Sequence, residues 1–500
     1  MRTWALPLLI GGVAVLVGAA FSWVPSFWWD EAATISAANR PLSGWAALHA
    51  DYDAVHALHN LILHGWFSLV GISEFTARIP GAIALGAGTA AVTATGQRLA
   101  GRGAGVAAGL LFVVLPRVTW AATEARSYAF TIACAALLTL CLVLALTRRP
   151  VWWVPYTLLV VVSTLMFVYS ATLLAAHALT VLVVGRRRDR WRFVAAAVVG
   201  FAATTPFLLL TYSQVRQVSW IPPLDATVVY TVLVDQWFPG APWTALLSYV
   251  LVVAAAVVAA RRGVTPGERL LLWLAVPGCT VPVAVILARS LGSDNMYLDR
   301  YVSFTVPSVV LLVGWAVTRL TTRWWSTAIL LVCLAATALP AYFAQRQPFA
   351  KAGGMDYSAT ADRLIDIAEP GDCLAFEPAA SWNPTSPRSL ADARPDLAEH
   401  LDDVGLQRSA ADRDDLWSLD LPPHELAAAA AGRCEVLWVV ADRDRTVETR
   451  VRNSTNEWTR FEPYRFTDTE TYRQLEAAGF TIVDREPVHL LQLIRMVQTQ

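Results

Sequence analysis

The sequence predicts an α-helical polytopic membrane protein of about eleven spans followed by a small C-terminal α/β domain outside the bilayer. Three observations lead there. Hydrophobic residues make up 56% of the 500 and charged residues only 16%, with a mean hydropathy of +0.46; soluble domains run to about 25% charged. Apolar runs recur from Trp4 to Phe343, and runs of roughly 17–25 residues suffice to cross a hydrocarbon core of about 30 Å. From Gln345 onward the chain turns rich in Asp, Glu, Arg and Pro and contains no spanning stretch, so residues 345–500 form a water-exposed domain and residues 1–344 a transmembrane one. Net charge is zero, which gives no electrostatic basis for a nucleic-acid partner.

The first span covers roughly residues 4–24. Arg2 precedes it and no small-residue cleavage site follows before Trp28, so it reads as an uncleaved signal anchor with a cytoplasmic N-terminus. Trp28-Trp29-Asp30-Glu31 then lies outside. Residues 25–77 make a long outer loop, within which Ala54–Val70 is apolar enough to pass for a second span. If it crossed, the arginine turns at Arg98/Arg102, Arg148/Arg149 and Arg186/Arg187/Arg188 would all face outward, against the positive-inside rule. Placed in the outer interface instead, with His56, His59 and His64 on it, the segment leaves those turns inside together with Arg261/Arg262 and Arg319/Arg323. The remaining spans fall near 78–97, 104–120, 127–147, 151–168, 170–185, 193–212, 243–260, 268–288, 300–318 and 325–344. Four outward segments result: 25–77, 116–126, 212–243 and 289–300. No internal repeat links the membrane halves, which disfavours an inverted-repeat transporter.

In the outer domain, strands are expected at 373–376, 435–440, 481–484 and 489–494, and helices near 358–368 and 469–478. Gly371 supplies the turn into the first strand. Cys373 and Cys434 are its two cysteines, each beginning a strand, and in an oxidising compartment they are expected to pair. Cys134, Cys141, Cys279 and Cys333 fall in spans as packing residues. Asn453-Ser454-Thr455 matches a glycosylation triplet that matters only in a eukaryotic secretory context.

Chemistry concentrates in four outward stretches: Asp30-Glu31, Arg78-Ile79-Pro80-Gly81, Glu124-Ala125-Arg126-Ser127-Tyr128 and Asp299-Arg300-Tyr301. Ionisable side chains at a membrane boundary are costly and mark function by default. Arginine suits a phosphate carried by a lipid, because its fork binds oxyanions bidentately and keeps its charge. A nearby carboxylate suits a general base for an incoming hydroxyl. Arg78 competes with a snorkelling role and Arg300 with simple pairing to Asp299. His56 and His59 can share a helix face; a metal site would want Asp53 or Asp30 as a third ligand, and substrate hydrogen bonding is favoured over it. Trp220 and Trp237 lie in the long outer loop, as sugar-stacking or loop-packing residues.

The acidic pair after the first span, the interfacial helix, the R-I-P-G-A start of the next span, the E-A-R-S-Y-A-F loop and the late R-Y-x-x-x-x-x-P segment together resemble the GT-C membrane glycosyltransferases, in particular the branch related to protein O-mannosyltransferases and aminoarabinose transferases, with actinobacterial mannosyltransferase-like members. The resemblance covers roughly residues 20–310. It implies transfer of a sugar, mannose favoured, from a polyprenyl-phosphate donor to a glycan, lipid or protein hydroxyl on the outer face of the plasma membrane, with inversion, as in cell-envelope assembly. By position, Asp30 resembles the catalytic base, Glu31 its neighbour and Glu124 the second acid, while Arg126 and Arg300 would bind the donor phosphate. Arg78, His56, His59, Tyr128 and Tyr301 are further substrate-binding candidates. No nucleotide, metal or other cofactor is required in principle, since the lipid phosphate is the leaving group. Where the family carries a His/Lys-Pro-Pro-Leu-Tyr-Tyr segment, this chain reads V-H-A-L-H-N, which opens the roles of His56 and His59. The rival class is a transporter or flippase of lipid-linked sugars; a non-catalytic scaffold for cell-wall enzymes would leave the charged residues unexplained.

Overall fold

The computed structural model describes residues 2–292, 295–378, 386–455 and 457–499. Residues 293 and 294 of the fourth outward segment, and the chain-terminal Met1 and Gln500, lie outside them. Two compact units emerge. One comprises the residues up to Ser22, Asp53–His59 and Arg78–Gln345; the other comprises Trp23–Tyr52, Asn60–Ala77 and the chain from Arg346 on. The loop 25–77 therefore contributes most of its length to the unit that holds the C-terminal domain.

The membrane unit is a helix bundle. Its helices Arg2–Ala19, Glu74–Ala100, Arg102–Val114, Tyr128–Thr147, Trp153–Met166, Leu173–Val184, Arg187–Ser213, Pro242–Arg262, Pro266–Leu291, Val306–Leu320 and Trp324–Ala344 follow the expected spans. Among the described residues, seven segments are long and apolar enough to cross a bilayer, and four more apolar helices are shorter. In the apolar 18-residue window of Tyr128–Thr147 and of Asp299–Leu320, 83% is buried, against 22% in that of Arg187–Ser213 and 17% in that of Trp324–Ala344. Helices that are apolar all round yet so exposed belong in lipid. The central packing is tight. A Cβ at Gly314 would stand 2.6 Å from the Ala108 backbone nitrogen, so only glycine lets Val306–Leu320 approach Arg102–Val114 this closely. Thr265 and Glu268 form a capping box at the start of Pro266–Leu291, and Glu268 also receives the Trp315 indole N–H at 3.0 Å.

In the second unit, the strand Cys373–Glu377 lies parallel between Asp402–Asp403 and Val436–Asp442; Leu491–Gln498 and Phe480–Pro487 continue the sheet antiparallel. Three expected strands are present within a few residues of their limits, and the fourth begins at Leu491 rather than at residue 489 because His489 and Leu490 give their backbone N–H groups, with that of Leu491, to the buried Asp356 carboxylate. The helices Tyr357–Ile367 and Glu470–Ala477 match expectation. Cys373 and Cys434 form a disulfide at the edge of a core built from Leu437, Val439, Phe466, Phe480 and Ile494.

That disulfide closes a loop with a sequence separation of 61, for which chain-entropy arguments give about 4 kcal/mol of stabilisation. Cys434→Ser is expected to lower the stability of this unit by that order, read by chemical denaturation with and without reductant; reductant should destabilise the parent and leave the variant unmoved.

Candidate active site

In the membrane unit, Leu115 is extended ahead of Pro116, so the chain leaves one span and starts the short helix Pro116–Ala121. The turn that follows carries Glu124, Arg126, Ser127 and Tyr128, all buried. Gly81 admits this turn: its hypothetical Cβ would lie 3.2 Å from Ala129 Cβ and 3.9 Å from the Glu124 carbonyl oxygen. The R-I-P-G and E-A-R-S-Y stretches thus pack together. Arg78 is fully buried and donates from Nη1 to the Ser22 carbonyl at 2.7 Å. It does not snorkel, because the end of the first span offers its guanidinium a carbonyl inside the bundle.

Ser127 Oγ lies 3.3 Å from His56 Nδ1, and His56 Nε2 lies 3.9 Å from Asp53. The His56 ring stacks on Phe167 at 5.9 Å, and Phe167 meets Tyr301 edge-on at 5.3 Å. His59 packs edge-on against Phe130 at 5.5 Å. One contiguous chain of contacts therefore joins His56, the Arg126-Ser127 turn and the Arg300-Tyr301 segment. Among the described residues no three His, Cys, Asp or Glu side chains converge in the manner of a metal site.

Phe167 and Tyr169, which joins both Phe167 and Tyr301, were not singled out from sequence. They occupy the turn between the spans at 151–168 and 170–185. That turn is too short to stand out as a loop in the sequence; aromatics flanking a span end were the available signal.

Arg117 is the principal residue missed. Fully buried, it donates to the Gln236 carbonyl at 3.0 Å, to the Asp235 carbonyl at 2.6 Å and to the Asp299 carboxylate, with its guanidinium 4.7 Å over the Trp120 ring. Asp299 is thus paired with Arg117, which corrects the pairing with Arg300 considered above: adjacent residues of a helical turn point in different directions. Arg300 instead lies 5.8 Å from the Tyr301 ring and 6.0 Å from that of half-exposed Trp220. Trp237 is a packing residue whose indole donates to Thr305 at 2.8 Å. Beside it, Trp237, Phe238, Tyr249, Cys279, Val283 and Val313 help line an apolar cavity of about 380 Å³.

In the second unit, Asp30 and Glu31 occupy the first turn of the helix Trp29–Ala38, where the positive end of the helix dipole favours carboxylates. Glu31 is buried and Asp30 half-buried. The helix packs on Ser389–Ala393. There Asp392, accepting from Ser418 Oγ at 3.2 Å, has its carboxyl pushed up to about 7 by burial, against the opposing pull of Arg388 and Arg40.

A sequence model of the dolichyl-phosphate-mannose-protein mannosyltransferases matches residues 57–210. Among curated proteins none is significantly similar in sequence. Among solved structures, the chain superposes on ArnT from Cupriavidus metallidurans bound to undecaprenyl phosphate with a TM-score of 0.58 and 13% identity, covering 97% of both chains. The chain has the GT-C fold. Mycobacterial arabinofuranosyltransferase AftD carries the same GT-C fold, with a TM-score of 0.53 and 16% identity over all of this chain and 40% of that one. Within the GT-C fold, the matched residues 57–210 include Arg78, Glu124, Arg126, Tyr128 and His59, and stop short of Arg300. The acidic pair lies before them.

Removing one partner of a buried ion pair costs about 3–5 kcal/mol because the other charge is stranded. Arg117→Met is expected to destabilise the membrane unit by that order, and Arg117→Met combined with Asp299→Asn by clearly less than the sum; a double-mutant cycle in denaturant measures the difference. For Asp392, the folded pKa lies above the ordinary carboxyl value of 3.8, so its contribution to stability is present below about pH 4 and lost as pH rises through about 7. Asp392→Asn should therefore raise the thermal midpoint relative to the parent at pH 8 and change it little at pH 4.

Proposed function

We propose that the protein is a polyprenyl-phosphate-dependent glycosyltransferase of the outer membrane face that moves a sugar, mannose in the favoured case, to an acceptor hydroxyl. The observation that carries this reading is the contact chain Ser127–His56–Phe167–Tyr301, which ties the two arginine-bearing segments into one cluster of the membrane unit, with Arg126 buried and Arg300 half-buried. Two guanidiniums brought into one cluster suit a phosphate oxyanion. The undecaprenyl phosphate held by ArnT and the mannosyltransferase family model over residues 57–210 support a lipid-linked donor and mannose respectively. The apolar cavity beside Trp237 has the chemistry for the polyprenyl chain.

In the proposed reaction, the acceptor oxygen attacks the anomeric carbon as its proton passes to the Asp30 carboxylate. The bond from that carbon to the phosphate oxygen breaks and its electron pair stays on the phosphate, which leaves as the lipid monoester dianion. Arg126 and Arg300 stabilise the charge that grows there. Attack opposite the leaving group inverts the anomeric centre. Glu31 and Glu124 are assigned supporting acidic roles, and Tyr128, Tyr301, His56 and His59 line the donor's path. Arg78, bonded to Ser22, supports the bundle end beneath the turn.

Membranes containing the parent or Asp30→Asn, supplied with radiolabelled polyprenyl-phosphate-mannose, test this directly. The parent is expected to move label into a glycan, lipid or protein fraction, Asp30→Asn to show no transfer, and Arg300→Gln to lose about 10²–10³-fold, the usual effect of deleting one oxyanion donor. Equal transfer by parent and Asp30→Asn would remove Asp30 from the mechanism. Movement of intact donor across the membrane with no transfer, for mannose and for other donor sugars, would identify a transporter of lipid-linked sugars instead.

A further inference from the structure

The helix bearing the acidic pair is bound to the C-terminal domain at both ends. At its entry, Ser26 N donates to the Pro348 carbonyl at 2.8 Å, Phe27 N donates to Ser358 Oγ at 3.0 Å, and Ser358 N donates to Ser26 Oγ at 2.8 Å. Gly353, in a left-handed conformation, faces Trp29: a Cβ there would stand 2.9 Å from the indole. These contacts are neutral and short, and they fix where the helix begins. At its exit the contact is of another kind. Arg40 is 3% exposed and donates from Nη2 to the Asp415 carbonyl, while its Nε and Nη1 are buried with no hydrogen-bond partner among the described residues. Burial pulls its pKa below the usual guanidinium range, and Asp392, Asp414 and Asp415 oppose that pull. A charged group this dry, with one hydrogen bond, is retained by the carboxylates around it.

We propose that Arg40 is a positioning residue: a charged latch that holds the helix Trp29–Ala38, and with it Asp30 and Glu31, against Ser389–Ala393 of the C-terminal domain. The inference rests on the proposed reading of Asp30 only for its catalytic consequence. Reacting groups must be held within about 0.5 Å of productive geometry, and a ten-residue helix tethered at one end alone does not meet that demand. Asp392 takes part because it faces the latch from Ser389–Ala393, beside Arg388, Asp420 and Ser418. Only its ionised form attracts Arg40.

The test uses the full-length protein in lipid nanodiscs at pH 8, with Arg40→Gln, Arg40→Lys, Asp392→Asn and a surface control, Arg363→Gln, whose partner is Glu486. Hydrogen exchange needs no donor and reads the latch alone. Arg40→Gln is expected to speed exchange of the Trp29–Ala38 amides at least tenfold while the amides of the five-stranded sheet stay as in the parent, with Arg40→Lys between the two. Transfer from polyprenyl-phosphate-mannose is expected to lose at least tenfold in kcat with donor KM within twofold for Arg40→Gln, and to be partly restored in Arg40→Lys. Asp392→Asn should lose kcat although its thermal midpoint rises, a combination that a merely structural role would not produce. Unchanged helix exchange in Arg40→Gln, or acceleration spread evenly over the sheet, overturns the latch. If Arg40→Gln fails to fold, Arg40→Lys and Asp392→Asn decide it by the same measures. Accelerated helix exchange with no transfer by the parent retires the transferase reading and leaves the latch standing.

Discussion

The membrane unit depends on a single guanidinium. Arg117, fully buried, reaches the Asp235 and Gln236 carbonyls and the Asp299 carboxylate, and so ties the helix Pro116–Ala121 to the loop before Phe238 and to the segment Asp299–Thr305. An uncompensated charge costs several kcal/mol in such surroundings, so none of the three pieces can leave without stranding another. Glu124 and Arg126 follow directly after the first piece, and Arg300 and Tyr301 begin the third. The spacing of the candidate phosphate-binding groups is therefore set by an ion pair that has no contact with donor in the proposed chemistry.

The C-terminal domain uses the same device. Arg388 lies between Asp403 and Asp420 with its guanidinium 4.3 Å over Phe376, locking the edge of the sheet to the elements that meet the acidic helix. The segment 25–52, which reads in sequence as a loop of the membrane region, is structurally part of this domain. A carboxylate carried on a loop alone would be positioned by that loop's own conformational preferences. Asp30 instead sits on a helix whose ends are bonded to a folded core, which confers the rigidity that the proposed proton abstraction would require.

Much of this was legible because it is local. The apolar helices follow from hydropathy, and the strands at Cys373 and Val436 from β-branched and apolar runs. Other readings failed where three-dimensional direction mattered. Asp299 and Arg300 are neighbours in the chain and so invited pairing, yet consecutive side chains in a tight helical turn diverge, and Arg117, 182 residues away, takes the carboxylate. Arg78 sits at a span start and so invited snorkelling, whereas the Ser22 carbonyl binds it inside the bundle. Phe167 and Tyr169 carried no charge or motif to mark them.

The sequence by itself determined what depends on composition and on short-range order: a membrane bundle, an attached α/β domain with a disulfide, and a set of acids and arginines placed at span ends. Hydrophobicity and helical periodicity are properties of neighbouring residues, so they survive without coordinates. Only the tertiary structure decided which charges neutralise one another and which unit holds the acidic helix. Those outcomes turn on side-chain direction and on contacts hundreds of residues apart, as between Ser26 and Ser358, where burial makes each pairing strong and leaves no trace in the local pattern.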